Sequence, residues 1–265
     1  MNPKITVITV SYNSASTIEE TIRSVISQDY PLKEYIIIDG ASTDATVEII
    51  QRYSHAIDFF VSEPDKGISN AFNKGISHAT GDLIVLINSD DYLMPGALQK
   101  VADTWDGKSE IWSGNYLAYN EETNQKFRIR PSLSFPTMPF FKHTVHQGRF
   151  ITRSLYDRLG GYDENVKVPM DLEFLMRATR CGASFQYVDT DVAVFRLGGK
   201  TDESILGKKE DYLYVVRRNG GSALQAYLYY SFLVIIKEAK KLLSKTGCDI
   251  VHSLRYKQSN EKSVL

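Results

Sequence analysis

As far as Asp91, short apolar runs that end in polar residues alternate with stretches whose apolar positions recur every three or four residues. Ile5-Thr6-Val7-Ile8-Thr9-Val10 is the first run and ends at Ser11-Tyr12-Asn13. Tyr35 to Ile38, Ile57 to Val61 and Leu83 to Ile87 follow as the second, third and fourth. Runs this short and rich in branched side chains suit strands buried on both faces, not helices. Between them, Ile18, Ile22, Val25 and Ile26 share a helical face behind a Ser16–Glu19 capping box, and Asp29-Tyr30-Pro31 stops that helix. The turn from Asp39 to Asp44 introduces a second helix carrying Val47, Ile50 and Tyr53. Ile68, Ala71, Phe72, Gly75 and Ile76 mark a third. Strand alternating with helix predicts an α/β fold whose parallel sheet is joined by right-handed crossovers. The polar strand ends then converge on one rim, the carboxyl edge where open α/β sheets bind ligands.

Beyond Asp91 the alternation lapses. Pro95 to Asp103 reads as a short helix, and Ile111 to Tyr119 with Lys126 to Ile129 as an antiparallel pair around residues 120–124. Pro131 to Phe141 reads as a loop over the rim. A strand is expected from Arg149 to Thr152, then a short helix to Leu159, the turn Gly160-Gly161, and a helix from Met170 to Thr179. Ser184 to Val188 and Val192 to Phe195 read as two late strands, and residues 202–218 carry helical signals. Ala223 to Ile236 is apolar and aromatic and is followed by Lys237, Lys240, Lys241 and Lys245. Too short to span a bilayer, this tail reads about equally as a membrane-interfacial helix or as a helix closing the core or a dimer contact.

Composition narrows the function classes. With 31 basic and 32 acidic residues among 265, net charge is -1 and no overall field favours nucleic acid. Cys181 and Cys248 are too few for a disulfide framework or a zinc site, which points to a reducing cytoplasm. Met1-Asn2-Pro3-Lys4 runs straight into a strand, so no secretory leader is expected.

The candidate chemistry lies at the fourth strand's end. Asn88-Ser89-Asp90-Asp91 places two carboxylates and an amide there, an oxygen-only donor set that suits Mg²⁺ or Mn²⁺, ions that also bridge phosphates. A metal-assisted nucleotide site is the expectation. His143 and His146, three apart, lack further ligands at metal spacing and favour an acceptor-contacting or structural loop.

Six segments extend this reading: Thr9-Val10-Ser11-Tyr12-Asn13, Ile38-Asp39-Gly40-Ala41-Ser42-Thr43-Asp44, Asp65-Lys66-Gly67-Ile68, Leu86-Ile87-Asn88-Ser89-Asp90-Asp91, Gly160-Gly161-Tyr162-Asp163 and Asp171-Leu172-Glu173-Phe174. In this order they resemble the family-two glycosyltransferases, most closely bacterial enzymes of capsular, exopolysaccharide or O-antigen synthesis. The resemblance implies a GT-A fold: a Rossmann-like, mostly parallel sheet with antiparallel additions, here followed by a C-terminal helical tail. It places a GT-A domain at 1–220, with a nucleotide-sugar-binding half at 1–92 and an acceptor half at 93–220, and leaves 221–265 as the tail. It also implies inverting transfer from a nucleotide-sugar donor, UDP-linked, to a saccharide or lipid-linked acceptor, in the cytoplasm or at the inner face of its membrane.

The resemblance also suggests roles. Thr9 and Tyr12 would wall the nucleobase, Asp39 would accept from a uracil imide N–H, and Lys66 would meet phosphate. Asp44 would cap the following helix. Asn88-Ser89-Asp90 stands where the family has Asp-x-Asp, so Asn88 would contact the nucleotide and Asp90 the metal ion. Asp91 would either support that ion or cap a helix. Asp171 occupies the general-base position. The usual acidic neighbour before it is Met170, which leaves Glu173 as a rival. Phe195-Arg196 and Gly198-Gly199 would form a segment closing on the donor. Two other classes compete. A sugar-nucleotide nucleotidyltransferase needs a Gly-rich basic loop that Ser11 to Ser16 lacks, and a non-catalytic carbohydrate-binding subunit is disfavoured by Asp90 and Asp171.

Overall fold

The four apolar runs become adjacent parallel strands, β1 (Ile5–Ser11), β2 (Lys33–Asp39), β3 (Phe59–Ser62) and β4 (Leu83–Asn88). They lie in the order β3-β2-β1-β4. Register brings their polar ends level: Ser11 pairs with Asp39, Asp39 with Ser62, and Val10 with Asn88. The expected rim is therefore formed. The computed structural model of the protein describes residues 2–136, 145–197 and 209–245. His143, Gly198-Gly199, residues 137–141 of the expected rim loop and the first part of 202–218 lie outside the described residues.

Strand alternation sorts side chains to two cores. Ile5 and Val7 face α1 (Ile18–Ile26), α2 (Thr46–Arg52) and, after β5 (Tyr92–Leu93), α4 (Ala97–Thr104). Ile8 and Val10 face α3 (Ile68–His78), and that layer continues through α5 (Arg153–Leu159), α6 (Met170–Arg180) and α7 (Lys209–Arg218). Helices thus cover both faces, as a parallel sheet requires.

The second half extends the sheet with strands of mixed direction. β8 (Arg149–Thr152) runs antiparallel to β4, and β6 (Ile111–Asn120) antiparallel to β8. β7 (Gln125–Ile129) forms the expected hairpin with β6. The two late strands are instead one, β9 (Phe185–Arg196), parallel to β6 and closed by antiparallel β5. Asp189-Thr190-Asp191 interrupts the apolar pattern where the β6–β9 register shifts, so a bulge looked like a strand break. The Ser16–Glu19 capping box does not form either. Thr17 precedes α1 without a side-chain cap, and Glu19 accepts from Arg23 Nη2 (2.9 Å) and Tyr53 Oη (2.6 Å) instead.

The tail forms α8 (Ala223–Lys245), which packs on α7 through Ala226 and Tyr229 and sets Tyr229 and Tyr230 beside Tyr212. It closes part of the core and leaves Leu224, Tyr227, Leu228 and Ile235 exposed. Among the described residues no helix is long and apolar enough to cross a membrane.

One close approach sets where α3 can lie. A Cβ at Gly75 would stand 2.4 Å from Ile8 Cγ2, so only glycine lets α3 sit this low on β1. In a free helix, Gly→Ala stabilises by about 1 kcal/mol. Overpacking a core costs roughly 1–3 kcal/mol. Gly75→Ala is therefore expected to lower the urea midpoint with an unchanged slope; a raised midpoint would show that Ile8 yields freely.

Candidate active site

The rim opens into a cleft of about 690 Å³ at the carboxyl ends of β1 and β4. β1 contributes Val10 and Ser11, and the turn after it Tyr12 to Ser14. The β4–β5 turn contributes Asn88 to Asp90, the start of α3 Gly67 and Ile68, and the first turn of α6 Met170 and Asp171. Val145, His146 and Gln147 approach from the loop before β8, and Phe195 and Arg196 from the end of β9. Both halves of the chain build one cavity.

At the β1–β2 side the expected residues divide. Tyr12 lines the cleft and is 54% exposed, with a ring edge facing Gly40. Thr9 turns the other way: it is fully buried and its hydroxyl accepts from Tyr35 Oη at 3.2 Å. The alternation that sends Val10 to the cleft sends Thr9 to the α1 side. Asp39 is also fully buried and does not line the cleft. Its Oδ1 accepts from the Ser11 and Ser42 hydroxyls at 2.9 and 2.5 Å, and its Oδ2 from the Ser42 amide and Ser62 hydroxyl at 2.8 and 2.7 Å. It ties three polar strand ends and turns together. Asp44 plays the structural part expected of it, accepting from the amides of Thr46 (3.0 Å) and Ala15 (3.1 Å).

The carboxylate that does reach this end of the cleft is Asp65, which stands in one of the six segments but was given no role there. Its Oδ1 accepts from the Gly67 amide at 2.7 Å, and its Oδ2 would stand 2.6 Å from a Cβ at Gly40, beside Tyr12. Gly40, a glycine in the turn after β2, was the available signal for this close approach. Lys66 is exposed outside the cleft lining, and its amide donates to Asn70 Oδ1.

The acidic turn also divides. Asp90 faces the cleft, and burial holds its carboxyl above the usual range. Asp91 does not line the cleft. It is fully buried, with Oδ1 accepting from the Arg196 amide (3.0 Å) and Oδ2 from Gln147 Nε2 (2.5 Å) and Asn88 Nδ2 (3.2 Å). Burial first, and the neighbouring Asp90 charge second, push Asp91 up to about 7. Its oxygens are committed to protein donors, Asn88 among them, which places it behind the cleft as a support for Asn88 and corrects the expectation that it is itself a metal ligand or caps a helix. Asn88 lines the cleft, and its Oδ1 is buried without a hydrogen-bond partner among the described residues. No three His, Cys, Asp or Glu side chains cluster at metal-binding geometry among the described residues.

Asp171 enters from the first turn of α6. Its Oδ2 lies 3.1 Å from His146 Nδ1, and its Oδ1 is buried without a partner among the described residues. Glu173 points elsewhere, as residues two apart on a helix do. It is fully buried, paired with Arg177 Nη2 at 2.8 Å, while Arg177 also donates to the carbonyls of Leu159 (2.6 Å) and Gly161 (2.8 Å). Glu173 thus anchors the Gly160-Gly161 turn and is removed as a rival. His146 is 6% exposed. Burial works against its charged form, but the Asp171 carboxylate and the charges of Asp91 and Asp90 together raise its pKa above the ordinary histidine value.

Comparison with known proteins agrees with this architecture. Residues 6–163 match the model of the family "Glycosyl transferase family 2". An uncharacterised glycosyltransferase of Mycobacterium tuberculosis is 33% identical over 184 residues, covering 66% of this chain and 69% of that protein. TuaG of Bacillus subtilis, named as a candidate teichuronic acid biosynthesis glycosyltransferase, is 38% identical over 101 residues, 37% of this chain and 40% of its own. Among solved structures, residues 1–349 of S. aureus TarS with UDP-GlcNAc superpose with a TM-score of 0.68 at 20% identity, covering 87% of this chain and 71% of that one. The mannosyltransferase PcManGT of Pyrobaculum calidifontis, solved with GDP-Man and Mn²⁺, gives 0.61 at 20% identity, over 96% and 79%. Parallel strands with antiparallel additions, a polar rim at their carboxyl ends and the matched family model converge: the chain has the GT-A fold and belongs to glycosyl transferase family 2.

Proposed function

We propose that this glycosyltransferase moves a sugar from a nucleoside diphosphate sugar, UDP-linked, to a saccharide or lipid-linked acceptor with inversion at the anomeric carbon. The observation that carries the reading is Asp171, which lines the same cleft as Asp90 and whose Oδ1 is a buried acceptor without a partner among the described residues. The nucleobase lies at the Tyr12 end, where the exposed ring offers a stacking face. Asp65 there takes the imide-accepting part first expected of Asp39. Asn88 and Asp90 meet the diphosphate, and Arg196, ion-paired with Glu20 and Glu121, forms part of the cleft wall.

The donor set suits a hard divalent cation. Asp90 supplies a cleft-facing carboxylate and Asn88 a buried carbonyl oxygen without a partner, both oxygen ligands of the kind Mg²⁺ or Mn²⁺ prefers. No group of three His, Cys, Asp or Glu side chains joins them among the described residues, so Asp90 and Asn88 are the residues that would hold such an ion. Such an ion, when bound, supplies stabilisation of the negative charge on the leaving diphosphate.

Asp171 takes the proton of the acceptor hydroxyl on Oδ1 as that oxygen bonds to the anomeric carbon. The bond from that carbon to the diphosphate breaks on the opposite face, and the nucleoside diphosphate leaves with the electron pair. Glu173 lies outside the cleft and Asp65 and Asp90 belong to the donor end, which leaves no second carboxylate for a covalent intermediate among the described residues. One displacement inverts. A cell-surface polysaccharide setting is supported by the relationship to TuaG. Contact with the inner face of the membrane is supported by the exposed Leu224, Leu228 and Ile235, with Lys237 close behind.

Thermal shift across a panel of UDP- and GDP-sugars with and without Mn²⁺ tests the reading; stabilisation by none of them removes it. Asp171→Asn is expected to lower turnover about 10²–10⁴-fold, the usual worth of a general base, while retaining the donor-induced shift. Glu173→Gln is expected to keep transfer but unfold more easily. Removing one partner of a buried ion pair costs roughly 3–5 kcal/mol. The reverse pattern would move the base to Glu173. Asp90→Ala should lose the Mn²⁺-dependent part of the donor shift, and an unchanged dependence would place the ion elsewhere.

A further inference from the structure

We propose that His146 is a positioning residue for the base: its Nδ1–H holds Asp171 Oδ2 so that Oδ1 alone is presented to the acceptor hydroxyl. This rests on the reading of Asp171 as general base. A carboxylate accepts only, so the 3.1 Å contact requires the hydrogen on Nδ1. Nε2 is buried and has no partner among the described residues, so none of these competes for the ring's orientation from that side.

The loop carrying His146 is fixed from several directions. Arg149, fully enclosed, donates through Nε to the Val145 carbonyl (3.1 Å), through Nη1 to Ser113 Oγ (3.2 Å) and through Nη2 to the Ser132 carbonyl (2.9 Å). Gly148 sits at φ +76°, where a Cβ would be 3.1 Å from the Gly114 carbonyl, and its own carbonyl accepts from the Gly114 amide. The imidazole stands edge-on to Phe72 at 5.2 Å. Adjacent side chains then serve two carboxylates: His146 bonds Asp171, while Gln147 bonds Asp91 next to Asp90. Ordering of the base is therefore built into the fold rather than acquired when substrate binds. A carboxylate held by one oxygen keeps the other's lone pairs aimed; without His146 it would be free to turn about its own bond and would stand mostly buried with no donor.

The charged and titratable groups facing this pair are Asp171 on α6, Asp90 and Asp91 on the β4–β5 turn, Arg149 at β8, and Tyr156 and Tyr162 behind α6. Two measurements on the full chain decide the matter. Imidazole ¹⁵N NMR reads the pair without turnover. Wild-type His146 should hold its proton on Nδ1 and titrate above its value in Asp171→Asn, and identical titration in the two proteins overturns the pairing. Nucleoside diphosphate release from a panel of UDP- and GDP-sugars with Mn²⁺ reads the role. His146→Ala should lower kcat roughly tenfold or more, a fraction of what the base itself contributes. Its donor KM should stay unchanged, and the acid limb of its kcat–pH profile should shift. His146→Asn, whose amide N–H falls near the Nδ1 position, should restore most of that rate, and His146→Gln should not. Normal wild-type release with an unaffected His146→Ala overturns the positioning role alone. So does an Asn variant as impaired as the Ala variant, with a normal pH profile. Failure of the wild type to release diphosphate from any sugar overturns the transferase reading and this role with it.

Discussion

A carboxylate taken out of water costs several kcal/mol unless donors meet it, and the turn after β4 does this at Asp91, which has no exposed surface. The donors that meet it come from far along the chain: the Gln147 amide group and the Arg196 backbone N–H. The same residue's carbonyl accepts from Thr21 of α1 at 2.7 Å. The loop before β8, the end of β9 and the first helix are thus all drawn to one acidic point. Asp90, next in the chain, is left facing the cleft that these segments enclose. Burial of one carboxylate organises the surroundings of its neighbour.

That arrangement separates two tasks by position. The rim of parallel strands holds groups suited to a nucleotide and its phosphates, on backbone fixed by the register of Ser11, Asp39 and Ser62. The first turn of α6, resting on the opposite core layer, brings in a carboxylate with one oxygen held and the other without a partner among the described residues. Gly75 matters to both, because it lets α3 lie close to β1 while the start of that helix lines the cleft.

The parallel half was legible because a strand buried on both faces must be continuously apolar and must end where polar residues can reach water or ligand. β1 to β4 announce themselves in that way, and their ends give the rim. Which rim residue turns inward was not legible. Thr9 and Val10 are adjacent in a run that is apolar on both faces, so periodicity could not tell cleft from core. Asp39 and Asp91 share the residue type and rim position of Asp65 and Asp90; only the hydroxyls and amides that reach them in space separate buried anchor from cleft wall. β9 was divided by the polar residues of its bulge, which mimic a turn. The His146–Asp171 contact joins residues 25 apart across two elements, and no local pattern encodes such a meeting. The helical tail was read as an interfacial helix, or as one closing the core or making a dimer contact. It does close the core along one face, through Ala226 and Tyr229, and leaves another face apolar and exposed.

The most direct test of the account is a crystal of the full chain grown with UDP and Mn²⁺ and measured at the manganese edge. An anomalous peak bonded to the Asp90 carboxylate, with the diphosphate beside it and the uracil at Tyr12 and Asp65, is the predicted result. UDP bound with manganese away from Asp90, or bound outside this cleft, would contradict it.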